Sequence, residues 1–243
     1  MTSRTPRAPG TSRTPRAPGT SGTPRAPGTA LQLLSVNVGL PAVIGTRRGH
    51  PVRSGIGKQP VAGIATLKLS DVNLEGDAQA DLTVHGGPEK AVYAYASEHF
   101  PAWRAELSRD DIGPGFFGEN LTMAGVTEAE VGIGDTWAWG EALLEVAQPR
   151  WPCFKLTMRS GVGDMANRFR GSGRTGWYFR VVRSGAVPVA GPVTVAARHP
   201  AGVTILDAHR AALPGADADL VQRVLEVAAL SPEWRGHFTP RAR

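Results

Sequence analysis

The sequence predicts a mainly β chain that closes into a barrel or curled sheet, with a few short helices and a small helical extension at its C-terminus. Two observations lead there. Short apolar runs recur between glycines and prolines from Ala30 to about Pro200, as in barrels built from many short strands. After Pro200 the apolar spacing changes to about 3.6 residues and helix caps appear.

The first segment repeats with a nine-residue period: Thr2–Gly10, Thr11–Gly19 and Thr20–Gly28 each read close to Thr-Ser-Arg-Thr-Pro-Arg-Ala-Pro-Gly. Two prolines and a glycine per unit preclude helix, and no large apolar side chain offsets the ordering entropy, so residues 1–29 are expected to be a disordered leader. Leu31–Val38 reads as the first strand, followed by a Gly/Arg loop through Arg53. Further strands are expected at Val61–Leu69, Ala91–Ala96, Thr136–Trp139, Ala142–Ala147, Trp177–Val182 and Val193–Ala197. Ser97–Leu107 reads as a helix, with Phe100, Trp103 and Leu107 near a 3.6-residue spacing and Pro101 in the first turn. Asp164–Arg170 reads as a shorter one. The main domain is placed at residues 30–200. Residues 201–243 carry three helices, Thr204–Leu213, Asp217–Leu230 and Ser231–Phe238; Asp217 or Asp219 caps the second, and Ser231 followed by Pro232 opens the third.

Bulk numbers narrow the function. The formal charge is +6, but residues 2–28 hold five arginines and no acid, which leaves 22 basic against 21 acidic groups in the body. The body is therefore no polyanion-binding surface by bulk charge, and no specific nucleic acid partner is expected. No run of about 18 apolar residues occurs, so no membrane helix is expected. Met1 to Gly28 lacks the apolar stretch of a secretory signal. A single cysteine forms no intrachain disulfide and fits a reducing compartment; the expected location is cytoplasmic.

Three clusters could carry chemistry. Cys153 lies in Gln148-Pro149-Arg150-Trp151-Pro152-Cys153-Phe154-Lys155-Leu156, directly after the strand Ala142–Ala147. Two prolines break the β-ladder there and put the thiol in an irregular loop, and flanking Arg150 and Lys155 favour the thiolate, a nucleophile and soft-metal ligand. Lone cysteines in general are most often small buried hydrophobes. The second cluster runs from Leu74 through Asp77, Asp81, His85, Gly86, Gly87 and Lys90 to Val92, where paired glycines let a backbone expose N–H donors to an anion; taken alone it reads as a turn with a solvated charge run. The third, Gly118-Glu119-Asn120, could hydrogen-bond a heterocycle or close a turn. Zinc spacing, a phosphate loop, a dinucleotide fingerprint and a nucleophile elbow are all missing.

In this order the clusters resemble the MOSC family (molybdenum-cofactor sulfurase C-terminal domain), in its YiiM-like branch. The matching stretches are Ser54-Gly55-Ile56-Gly57-Lys58-Gln59-Pro60-Val61, Gly76-Asp77…Asp81…His85-Gly86-Gly87, Phe117-Gly118-Glu119-Asn120-Leu121 and Gly132-Ile133-Gly134-Asp135. Gln148–Leu156 and Gly173-Arg174-Thr175-Gly176-Trp177-Tyr178-Phe179-Arg180 continue them, and the tail resembles that branch's three-helix extension. The resemblance implies a MOSC-type β-barrel-like domain that binds a molybdenum–molybdopterin cofactor with Cys153 as metal ligand. It also implies reduction of N-hydroxylated compounds, hydroxylaminopurines among them, to amines.

On that reading Lys58, Lys90, Arg150, Lys155 and Arg180 are candidates for holding the phosphate-bearing pterin. Asn120, His85 and the backbone at Gly86 and Gly87 are candidates for contacting pterin or substrate, and Asp77 and Asp81 for orienting loops or relaying protons. The partners expected are a small N-hydroxylated substrate and a separate electron-donor reductase, since no iron–sulfur or flavin motif occurs in the chain. No pyridoxal phosphate is expected, because no lysine sits in a recognisable Schiff-base setting. Two rivals remain: a sulfur carrier using a Cys153 persulfide for metal–sulfur cofactor assembly, and a binding module that works through the Arg-rich leader.

Overall fold

The computed structural model describes residues 25–80 and 86–238. The strands are β1 (Ala30–Val38), β2 (Ala42–Arg47), β3 (His50–Ser54), β4 (Gln59–Pro60), β5 (Thr66–Leu69), β6 (Val92–Ala96), β7 (Leu121–Ala124), β8 (Thr136–Trp139), β9 (Ala142–Pro149), β10 (Trp177–Arg183), β11 (Gly185–Pro188) and β12 (Gly191–Ala197). The α-helices are α1 (Phe100–Leu107), α2 (Phe154–Ser160), α3 (Met165–Ser172), α4 (Ile205–Ala211), α5 (Ala218–Glu226) and α6 (Pro232–Arg235). Seven strands form a closed barrel in the order β12-β8-β9-β10-β6-β7-β1, and β1 pairs back onto β12. All neighbours in it are antiparallel except β6 and β7. A parallel pair needs a long crossover, and residues 97–120 supply one that carries α1 and the third sequence cluster.

Side-chain alternation explains why the barrel has a filled interior and one covered outer wall. In β1, Leu31 and Leu33 are buried while Leu34 faces solvent. β6 is buried on both faces: Val92 and Ala94 join the main core with Trp137, Trp177 and Phe179, whereas Tyr93 and Tyr95 point the other way. That outer face packs under α1, α3 and the segment around Phe117, a second cluster with Trp103 and Phe169 at its centre. Both clusters are rich in fully buried aromatic rings, which dominate core energetics at roughly 3–5 kcal/mol per large ring removed.

The expected helices of the tail are present but shorter, capped by Thr204, Asp217 and Ser231. The main core continues beneath them through Val224, Val227, Leu230 and Trp234. Several expectations need correction. The stretch read as a loop through Arg53 is a β2–β3 hairpin, turned at Arg48 and Gly49 with φ of 52° and 80°, the positive pair that a two-residue hairpin turn demands. Val61–Leu69 is a strand only from Thr66, and β7, β11 and α2 have no counterpart in the expected elements. Pro149 ends β9 instead of breaking it, because the last ladder position needs no N–H from it. The leader expected at residues 1–29 falls outside the described residues up to residue 24. Its last part is hydrogen-bonded to the barrel: Arg25 pairs with Glu130, and the Gly28 N–H donates to the Val195 carbonyl at 2.8 Å.

Candidate functional site

The start of β10, the end of β9 and the middle of β6 lie side by side, so Tyr178 stands opposite both Tyr93 and Gln148. The two tyrosine rings meet at 4.9 Å on the outer face of the barrel. From Pro149 the chain leaves the sheet through Arg150, Trp151 and Pro152 to Cys153, which is the N-cap of α2. A cleft of about 580 Å³, partly open to solvent, forms over these residues. Ser54, Gly55 and Ile56 at the end of β3, together with Ala78, Gln79 and Ala80, close it from the other side.

The lining gathers four of the five expected cations: Lys58, Lys90, Arg150 and Lys155, each 6–8% exposed. Cys153, half-buried, is the thiol among them. No aspartate or glutamate lines the cleft among the described residues. The balancing acids lie behind the wall or at its edge. Asp77 accepts from Lys58 Nζ and from the Gly39 N–H at 2.9 Å through one oxygen, and from Asn120 Nδ2 at 2.9 Å through the other. Burial pulls the Lys58 pKa down while Asp77 opposes the shift. Arg150 is fixed by donation to the Phe117 carbonyl, and its guanidinium lies 4.7 Å from the Tyr93 ring and 5.6 Å from the Phe169 ring. Burial raises the pKa of both Tyr93 and Tyr178, so these phenols keep their protons and are hydrogen-bond donors. Tyr93 uses its proton on the Thr175 carbonyl at 2.7 Å.

Glu119 is the other buried acid. Its carboxylate accepts from the N–H groups of Gly115 (2.7 Å) and Phe117 (3.1 Å) and from Thr122 Oγ1 (3.1 Å). It thereby shapes the turn that presents the Phe117 carbonyl to Arg150. Burial outweighs these bonds and raises its pKa to about 7.

Not every expected residue reaches the cleft. Asp77 lies behind Lys58, with both oxygens committed to internal donors. Asn120 touches the cleft, but its amide bonds Asp77 and the Asn37 carbonyl, and its oxygen accepts the Tyr93 N–H at 3.1 Å. Gly86 and Gly87 are not among the lining residues; Gly87 opens the short 3₁₀ turn Pro88–Lys90 that delivers Lys90. Asp81 and His85 lie outside the described residues. Arg180 is a correction. It shares a face of β10 with Tyr178 but sits one pair further along, where Glu145 stands across the ladder and Glu89 beside it; the guanidinium pairs with both and stays out of the cleft. Tyr93, Tyr178, Ser54 and Gln79 were missed. The signal for the tyrosines was available: each sits one position from a core residue in a strand, on the face opposite the barrel interior.

The MOSC domain family model matches residues 81–194, and that of the YiiM-like, 3-alpha helix domain matches residues 203–241. The uncharacterized protein YflK of Bacillus subtilis (strain 168) is 41% identical over 207 residues, which are 85% of this chain and 92% of that protein. The chain belongs to the MOSC family, in its YiiM-like branch. This MOSC protein is also 39% identical to protein YiiM of Escherichia coli (strain K12) over 186 residues, 74% of this chain and 81% of that one. The crystal structure of YiiM from Geobacillus stearothermophilus superposes with a TM-score of 0.69 at 31% identity, covering 86% of this chain and 97% of that one. A protein named reductase from Gibberella moniliformis (strain M3125 / FGSC 7600) is 38% identical over 142 residues, 57% of this chain and 25% of its own length. MOSC domains are generally associated with the molybdenum cofactor. The expected fold and family both hold. No helix among the described residues is long and apolar enough to cross a membrane.

The donor set of the cleft fits such a cofactor. Among the described residues Cys153 is the one soft ligand in the lining, so a metal here brings its remaining donors with it, as a dithiolene-chelated molybdenum does. The four cations suit the phosphate that the pterin carries.

Proposed function

We propose that this MOSC protein is an oxidoreductase that holds a molybdenum–molybdopterin cofactor through Cys153 and reduces N-hydroxylated small molecules of the hydroxylaminopurine kind to amines. One observation carries the reading: a half-buried thiol at a cleft whose described lining holds four buried cations and no carboxylate. When bound, the cofactor supplies the redox chemistry. The protein does the rest. Cys153 anchors the metal, and Lys58, Lys90, Arg150 and Lys155 hold the anionic pterin. Arg150 is already locked between a carbonyl and two aromatic rings, so little further ordering is needed on binding. The Tyr178 phenol lines the cleft and keeps its proton, so it would serve as a hydrogen-bond donor to the bound group. Converting a hydroxylamine to an amine and water consumes two electrons and two protons, and the electrons come from a separate donor protein. The setting is cytoplasmic.

The test is elemental analysis of protein made in a host that synthesises the cofactor, alongside hydroxylaminopurine reduction driven by chemically reduced viologen. The expected result is stoichiometric molybdenum and turnover, both lost in Cys153→Ser with the fold retained. Protein carrying cyanide-labile sulfur on Cys153 and no molybdenum would overturn the reading in favour of sulfur transfer.

A further inference from the structure

The four residues between β9 and α2 make unusual contacts for a loop. The Trp151 ring lies 5.5 Å, edge-on, from Trp234 of α6, 4.8 Å from His237 and 6.1 Å from His209 of α4, and the Arg170 guanidinium lies 5.1 Å from it. Trp234 itself is fully buried. The start of α6 is fastened to the end of β9: the Ser231 N–H donates to the Ala147 carbonyl at 3.2 Å, and Ser231 Oγ donates to Gln148. Beside Trp234, Glu233 reaches a second lining residue of the cleft, with a carboxylate oxygen 2.5 Å from Lys90 Nζ. Arg180 reinforces that wall by bonding Glu89, next to Lys90, and the Ala229 carbonyl at 2.8 Å. Two adjacent residues of α6 thus bear on the cleft, one through Lys90 and the other through the loop that carries Cys153.

We propose that the three-helix extension is a working part of this site: Trp234 positions the Cys153 loop through Trp151, and Glu233 sets how strongly the wall at Lys90 takes an anion. The inference rests on reading the cleft as the cofactor site, though its contacts exist without the cofactor. The edge-on contact with Trp234 fixes the loop two residues from the thiol, which holds the sulfur in one place relative to Arg150 and Lys155. Lys90 is 8% exposed whereas the Glu233 side chain is 51% exposed, so the carboxylate sits at the rim where an incoming anion competes with it. Neither residue touches the reacting atoms; both are positioning residues.

The chain contains a single cysteine, so thiol reagents report on Cys153 alone. The measurement compares, in the full-length cofactor-free protein at one pH, reaction with neutral iodoacetamide and with the dianionic disulfide DTNB. The ratio of the two rates isolates the local potential. Inorganic phosphate serves as the anion probe, through its protection against DTNB. Glu233→Gln is expected to raise the DTNB-to-iodoacetamide ratio several-fold and to make phosphate protect at lower concentration, while the iodoacetamide rate changes little. Trp234→Leu is expected to accelerate both reagents several-fold. If that variant fails to fold, Trp151→Leu removes the same contact from the loop side and is expected to do the same. An unchanged ratio in Glu233→Gln, or wild-type rates in a folded Trp234 or Trp151 variant, overturns the proposal. A wild-type chain that takes up no molybdenum overturns the proposed function instead and leaves these thiol results standing.

Discussion

Glu119 makes a quantitative prediction about stability and pH. Its carboxyl is fully buried, and its pKa rises from 4.5 to about 7 on folding. The native state therefore binds this proton more tightly than the unfolded chain does. Below about pH 4.5 both states carry it and its contribution to stability is fully present. Between about pH 4.5 and 7 the unfolded chain releases the proton first, so stability falls, and the loss is complete above the folded value. At about 1.4 kcal/mol per pH unit, the interval amounts to a loss on the order of 3 kcal/mol. Urea unfolding at pH 5 and at pH 8 measures it. Glu119→Gln removes the titration, although its amide cannot accept from both Gly115 and Phe117 and costs about 1–3 kcal/mol at either pH. The quantity to read is the difference between the two pH values, which is expected to be smaller in the variant than in the wild type by most of that interval. Equal pH dependence in the two proteins would refute the reasoning, since every other titrating group is common to both.

Further outcomes follow from the same network. Asp77→Asn leaves a buried lysine without its counter-charge and is expected to cost roughly 3 kcal/mol in urea unfolding, largely recovered in the double variant with Lys58→Met. A loss below about 1 kcal/mol would show the pair to be dispensable. Gly118 has φ of +82°, and a Cβ there would stand 2.6 Å from Ile56 Cγ1. Gly118→Ala is therefore expected to destabilise by about 1–3 kcal/mol and to weaken phosphate binding at the cleft it lines, checked by thermal unfolding and DTNB protection.

Much of this molecule was legible in its residues because the strongest signals are local. Short apolar runs between turn residues gave the barrel strands, and Thr204, Asp217 and Ser231 marked the tail helices by the same side-chain chemistry that now caps them. Cys153 with Arg150 and Lys155 was legible because prolines and charges surround one thiol. What escaped depends on partners distant in sequence. Arg180 looked like a cofactor contact because nothing in the chain around it reveals Glu145 across the ladder and Glu89 ninety-one residues away. Asp77 and Asn120 looked chemically available because their internal partners, Lys58, Gly39 and Asn37, come from another part of the chain. Glu233 was not among the expected site residues, because its role arises only where α6 meets Lys90. The β2–β3 hairpin was overlooked because Arg-Gly is a weaker turn signal than Asn-Gly.

The pairing of β1 with β12 has a consequence for synthesis. β1 cannot pair with β12 until residues 191–197 have left the ribosome, so the sheet keeps an open edge throughout most of translation. The α6 contacts arrive later still, so the pocket is among the last parts of the protein to be completed. Such long-range closure makes for slow folding, and a ribosome stalled before residue 191 would display an unpaired strand to its neighbours.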